Sequence, residues 1–179
     1  MKTSHVPLAM LLAVLSVGCS QSTPLTGPSA VAMSGSSSPL AARATEVPFK
    51  GRLDGDFTFE PEAPPSTFAA VAFTSVGGQA THLGAFSIEA PHRVNLATLP
   101  AEATGTFRLT AANGDTLTAT FTGLGMPTAT PGVFSIVETA TITGGTGRFT
   151  GATGSFVVER SVDLNALFTT GSFEGVITY

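Results

Sequence analysis

The sequence predicts an all-β domain, an antiparallel closed barrel of about eight strands, with a β-sandwich as the alternative. Three observations support this prediction: apolar and polar residues alternate over long segments, turn signals separate those segments, and charged residues are scarce. Charged residues make up 11% of the chain, against about 25% in an average soluble domain. Thr, Ser and Gly take their place, and these residues favour strands and turns over helices.

Alternation with a period of two residues locates the strands, because successive side chains of a strand point to opposite faces. In the first strand Phe49, Leu53 and Phe57 alternate with charged or polar residues. Asn113-Gly114 is a strong hairpin signal, since both residues tolerate positive φ. Residues 163–168 fit one turn of helix. The predicted strands cover residues 49–59, 68–75, 79–90, 103–111, 116–122, 133–143, 155–163 and 171–179, with a short strand near 93–96.

The pattern Gly-x-Phe recurs along the domain and favours the barrel over the sandwich. Residues i and i+2 of a strand share a face, so each instance sets a missing side chain beside a large ring. Small barrels need this combination, because glycine permits sharp coiling while phenylalanine fills the interior. The glycines of the pattern are Gly55, Gly84, Gly105, Gly132, Gly147, Gly154 and Gly171.

The first residues predict export. Lys2 precedes an apolar run over residues 6–18 that is too short to span roughly 30 Å of hydrocarbon, so it reads as a signal peptide. The run ends at Gly18-Cys19, which resembles the lipobox of bacterial lipoproteins, where the cysteine takes a diacylglycerol and becomes the mature N-terminus. Ser16 departs from the lipobox, which usually has Leu there. The alternative is an ordinary cleaved signal with an incidental cysteine.

These features predict three segments: a lipoprotein signal peptide over residues 1–18, a disordered tether over residues 19–48 with a lipid on Cys19, and a barrel over residues 49–179. The tether is rich in Ser, Pro, Ala, Thr and Gly and shows no sustained periodicity. Ser20 follows the cysteine in place of the aspartate associated with inner-membrane retention. The expected location is therefore the cell envelope, in the outer membrane if the host has one.

Composition excludes several classes of function. The formal net charge is -4, and no basic patch offsets it, so nucleic-acid binding is not expected. The single cysteine cannot form an intrachain disulfide, and no cluster of Cys and His has the spacing of a zinc site. We therefore expect neither a metal nor a cofactor.

Three stretches together indicate a family resemblance: residues 81–86, 113–117 and 142–154, the last containing Gly144-Gly145-Thr146-Gly147-Arg148-Phe149. This glycine turn resembles that of the dirigent and allene oxide cyclase barrel families, and residues 49–179 look like bacterial secreted proteins of that kind. The resemblance implies an eight-stranded antiparallel barrel with a lumen for a small hydrophobic molecule. It also implies ligand chemistry without a cofactor, and many members are oligomeric, which leaves a homo-oligomer open. No flanking motif fixes the positions of the families' catalytic residues.

Candidate ligand-binding residues interrupt apolar faces of the predicted strands. Glu138, Arg160 and His82 each lie on such a face, so in a barrel they point inward. Because a buried charge is costly unless paired, Glu138 and Arg160 are expected to form an internal ion pair. In an apolar lumen that pair could orient a ligand, and His82 or Tyr179 nearby could add acid–base chemistry. A purely structural ion pair is the alternative, as is a bulge that turns Glu138 towards water.

The favoured function is a lipid-anchored module that binds a small hydrophobic ligand. The alternative is a cofactor-free isomerase or cyclase, or a dirigent-like enzyme, that uses the lumen. A third hypothesis, an integral outer-membrane barrel, is disfavoured because Tyr179 is the only Tyr and Trp is absent, so no aromatic girdles can form.

Overall fold

The computed structural model describes residues 45–74 and 76–179. Cys19, the signal peptide and most of the tether therefore lie outside the described residues. The first strand begins at Val47, so Val47 and Pro48, which the sequence assigned to the tether, belong to the barrel. No helix among the described residues is long and apolar enough to cross a membrane.

The domain is built from β-strands, with one short 3-10 turn at Gly147–Phe149. The strands are β1 (Val47–Pro61), β2 (Phe68–Phe73), β3 (Val76–Ala80), β4 (Gly84–Glu89), β5 (His92–Asn95), β6 (Ala101–Ala111), β7 (Thr116–Pro127), β8 (Val133–Gly145), β9 (Thr153–Asp163) and β10 (Phe168–Thr178).

All pairings are antiparallel, and β10 pairs with β1, so the sheet closes on itself. β2 and β3 pair with successive parts of β1 and form two halves of one broken strand. β4 and β5 likewise pair with successive parts of β6, and Pro91 between them can donate no hydrogen bond to the ladder. Counting each broken strand once turns the ten segments into a ring of eight neighbouring strands. The prediction of an all-β antiparallel fold of about eight strands is confirmed.

The barrel has two different ends. At the end called here the glycine-turn end, tight turns join β3 to β4 and β6 to β7, and the segment from Gly145 to Thr153 joins β8 to β9. At the opposite end, called the loop end, four connections span residues 61–68, 95–101, 127–133 and 163–168. The predicted helical turn in the last of these is wrong, because residues 164–167 form a turn between β9 and β10.

Phenylalanine rings fill the interior at the glycine-turn end. Phe49, Phe156 and Phe173 contact one another with ring centroids 5.0 to 5.4 Å apart, and Phe107 stacks on Phe121 at 4.2 Å. A smaller apolar cluster around Phe57, Val71 and Val162 lies towards the loop end. The inward face of each strand thus carries the apolar half of the alternating pattern, as the period of two requires.

One predicted strand is wrong. Residues 79–90 do not form one strand, because the chain reverses between β3 and β4 at Thr81–Leu83. His82 lies in this turn with φ of 64°, the left-handed region that non-glycine residues seldom adopt. The expectation that His82 points into the lumen from a strand is therefore also wrong.

Candidate ligand-binding site

An apolar cavity opens at the loop end of the barrel. Its volume is about 90 Å³, which is the volume that about three water molecules take in the liquid. Leu96 and Leu124 line it and are 48% and 50% exposed, so they mark its mouth towards solvent. Its walls include Phe57, Val71, Val94, Phe134, Ile136 and Val162.

A buried ion pair between Glu138 and Arg160 forms the polar part of the lining. The Arg160 Nη2 donates to Glu138 Oε1 at 2.6 Å and Nε donates to Oε2 at 3.0 Å, so the contact is bidentate. The side chains are 4% and 0% exposed. Arg160 Nη1 also donates to the Thr169 hydroxyl at 3.3 Å, and that hydroxyl donates to the Ser161 carbonyl at 2.9 Å. Each nitrogen of Arg160 and each carboxylate oxygen of Glu138 thus has a hydrogen-bond partner, which a buried pair needs to persist.

Cross-strand glycines make room for these polar side chains. Glu138 on β8 pairs with Gly123 on β7, where an added Cβ would lie 2.7 Å from the Glu138 Cγ. Arg160 on β9 pairs with Gly171 on β10, where an added Cβ would overlap the Arg160 Cβ. Gly171, which belongs to the Gly-x-Phe set, and Gly123, which does not, therefore both allow close approach of a partner side chain.

His92 is a third polar residue of the cavity lining. It is buried, on the inward face of β5, and its ring lies between those of Phe73 and Phe121 at 5.9 and 5.5 Å. Its Nδ1 lies 2.8 Å from the Ala90 carbonyl oxygen. Burial is the largest influence on the pKa of His92 and lowers it, and the hydrogen bond to Ala90 opposes this. The charge of Arg160 lowers the pKa and that of Glu138 raises it, so the net effect is a decrease. The imidazole is therefore neutral at pH 7.

Two of the four predicted ligand-binding residues lie at the cavity. Glu138 and Arg160 point inward and form the ion pair that the alternation of their strands predicted. His82 and Tyr179 lie at the glycine-turn end, where the Tyr179 hydroxyl and His82 Nδ1 are 2.9 Å apart. His82 Nε2 is 3.1 Å from the Pro48 carbonyl oxygen, so this contact ties the turn to the first and last strands. Neither residue can act together with the ion pair.

The sequence offered a usable signal for His92 that the strand assignment missed. Ile88, Ala90, His92 and Val94 alternate with polar or charged residues across Pro91. Extending the inward face of β4 through the proline by two residues would have placed His92 inside the barrel.

The chemistry available here is that of a hydrogen-bonding site. No group of three or more His, Cys, Asp or Glu residues in the described part of the chain could hold a metal ion. The cavity instead combines apolar walls with a compensated ion pair and a neutral imidazole.

One solved structure is similar over most of the barrel. It is a pterocarpan synthase dirigent protein, 17% identical, with a TM-score of 0.51 over 75% of this chain and 91% of that chain. No family model matches the sequence, and none of the curated proteins matches it. The structural likeness shows a dirigent-like fold, in agreement with the resemblance of the glycine turn.

Proposed function

We propose that this protein is a lipid-anchored component of the cell envelope whose barrel binds a small hydrophobic ligand in the cavity at the loop end. The observation that carries the ligand proposal is an open apolar cavity beside a buried, bidentate ion pair. Ligand sites are typically concave and apolar with a few fixed polar groups. This cavity has the same composition, with a smaller volume than a typical ligand site.

The ion pair supports a ligand without net charge. Glu138 takes two of the N–H groups of Arg160, and Thr169 takes a third, so the guanidinium is already compensated. An anionic ligand would bring a second negative charge close to Glu138, which is fully buried. Because like charges in a poorly solvated site repel strongly, a neutral ligand fits best.

Blocking the cavity tests the ligand proposal. Ala103 is buried and lines the cavity, so Ala103→Leu places three more carbon atoms in it. Ala70 on β2 is exposed, and Ala70→Leu is the matched control. Native mass spectrometry of the protein from its own host should show a bound small molecule in the wild type and the control, and little in Ala103→Leu. Equal ligand content in all three proteins, or none in the wild type, would contradict the proposal.

The anchor proposal depends on Cys19 and has a separate test. The single cysteine at the end of a predicted export signal, followed by a segment rich in Ser, Pro, Ala and Gly, supports lipidation. Labelled palmitate should enter the wild type and not Cys19→Ala. The Cys19→Ala protein should also be absent from the membrane fraction. Incorporation that persists in this variant would contradict the anchor, while leaving the ligand proposal untouched.

A further inference from the structure

We propose that His92 selects the ligand: its Nε2 accepts a hydrogen bond from the hydroxyl group of a small, neutral, otherwise apolar molecule. The inference rests on the proposed ligand function of the cavity and names the class of molecule. A hydroxyl-bearing compound would place its carbon skeleton against the apolar walls and its O–H against the imidazole.

The hydrogen bond at Ala90 fixes the tautomer of His92. A carbonyl oxygen can only accept, so His92 Nδ1, 2.8 Å from it, must carry the hydrogen. A neutral imidazole with hydrogen on Nδ1 has an unprotonated Nε2, which is an acceptor. The hydrogen bond to the Ala90 carbonyl therefore leaves Nε2 as an acceptor for a donor group of the ligand.

His92 Nε2 is free and reachable. The imidazole makes no hydrogen bond through Nε2 to any of the described residues. All fully buried side-chain nitrogen and oxygen atoms among the described residues have a partner, so Nε2 is not sealed inside the protein. The residue is nevertheless only 7% exposed, and it lines the cavity. An acceptor of this kind, left without a partner in an apolar site, favours a ligand that supplies a donor.

The surrounding charges favour a hydroxyl over an ionised donor. The charges of Arg160 and Glu138 act on the imidazole with opposite signs, so they do not offset the hydration that an ammonium group would lose in the cavity. A carboxylate carries no hydrogen to donate and would face Glu138. A hydroxyl donates without net charge and is small enough for a cavity of about 90 Å³.

The experiment compares two probes that differ in one group and are small enough for the cavity, 2-propanol and isobutane. Dissociation constants are measured at pH 7.5 for the wild type, His92→Phe and His92→Gln. His92→Phe keeps a ring between Phe73 and Phe121 but removes the acceptor, and His92→Gln restores an acceptor. His82→Phe, at the other end of the barrel, is the matched control.

The expected result is a change in the ratio of the two affinities. In His92→Phe, 2-propanol should lose about five- to tenfold in affinity relative to isobutane, the effect of one neutral hydrogen bond. His92→Gln should recover part of that preference, and His82→Phe should equal the wild type. An unchanged ratio in His92→Phe and His92→Gln overturns the role of His92. Failure of both probes to bind the wild type overturns the proposed function itself.

Discussion

Removing the charge of Glu138 should destabilise the barrel strongly. Glu138→Gln keeps the shape of the side chain but leaves the Arg160 guanidinium, with its side chain 4% exposed, without a counter-charge. Breaking a buried pair by removing one partner costs about 3–5 kcal/mol. The glutamine oxygen still accepts one hydrogen bond, so we expect about 3 kcal/mol. Against a typical stability of about 5–15 kcal/mol, this loss is easily measured.

A matched set of variants separates the unpaired charge from loss of packing. Glu138→Leu/Arg160→Met replaces the pair with apolar side chains and should be nearly neutral or stabilising. Glu174→Gln is the surface control, because Glu174 and its partner Lys50 are 73% and 54% exposed, and it should change stability by about 0.5 kcal/mol or less. Urea unfolding followed by circular dichroism gives the free energies. A Glu138→Gln loss under about 1 kcal/mol, or an equal loss in the double variant, would refute the reasoning.

Three further predictions follow from single contacts. Gly123→Ala sets a Cβ 2.7 Å from the Glu138 Cγ and should cost about 1–3 kcal/mol in urea unfolding; an unchanged midpoint would contradict the close approach. Gly147 has φ of 58° and faces the Asp115 carboxylate, so Gly147→Ala should lower the melting temperature through a loss of about 1–3 kcal/mol. Because the folded-state pKa of His92 is lowered, the unfolded chain binds more protons once the pH falls below about 6.5, and stability declines there. The decline between pH 7.5 and 5 should be smaller in His92→Phe, and equal declines would refute the buried neutral imidazole.

The alternation of side chains predicted the strands and the inward direction of Glu138 and Arg160, because the face on which a side chain lies follows from local geometry. Closure of the sheet depends on the pairing of β1 with β10, which alternation does not report. Phe134, Ile136 and Glu138 share one face of β8 whatever the neighbouring strands do. Alternation could not predict the position of His82, because the pattern of His82, Gly84 and Phe86 continues through a tight turn. Only the partner strand and the positive φ of His82 reveal the reversal.

The presence of the cavity depends on the summed volumes of side chains from many strands. The sequence of one strand does not give that sum. At the glycine-turn end Phe49, Phe149 and Phe107 are among the largest fully buried side chains and fill the interior. At the loop end the inward positions of β6 carry Ala101 and Ala103, which leave space. The register between strands that are distant in sequence decides which inward side chains face each other. The position of the cavity therefore could not be predicted from the sequence.

The most direct test of the ligand site is a titration of methyl-labelled protein with 2-propanol, followed by NMR. The methyl groups of Val71, Val94 and Val162 line the cavity and should shift together along one saturable curve. Those of Ile142 and Ile177, buried among the core residues of the glycine-turn end, should stay unchanged. Shifts that never saturate, or that centre on Ile142 and Ile177, would contradict a ligand cavity at the loop end.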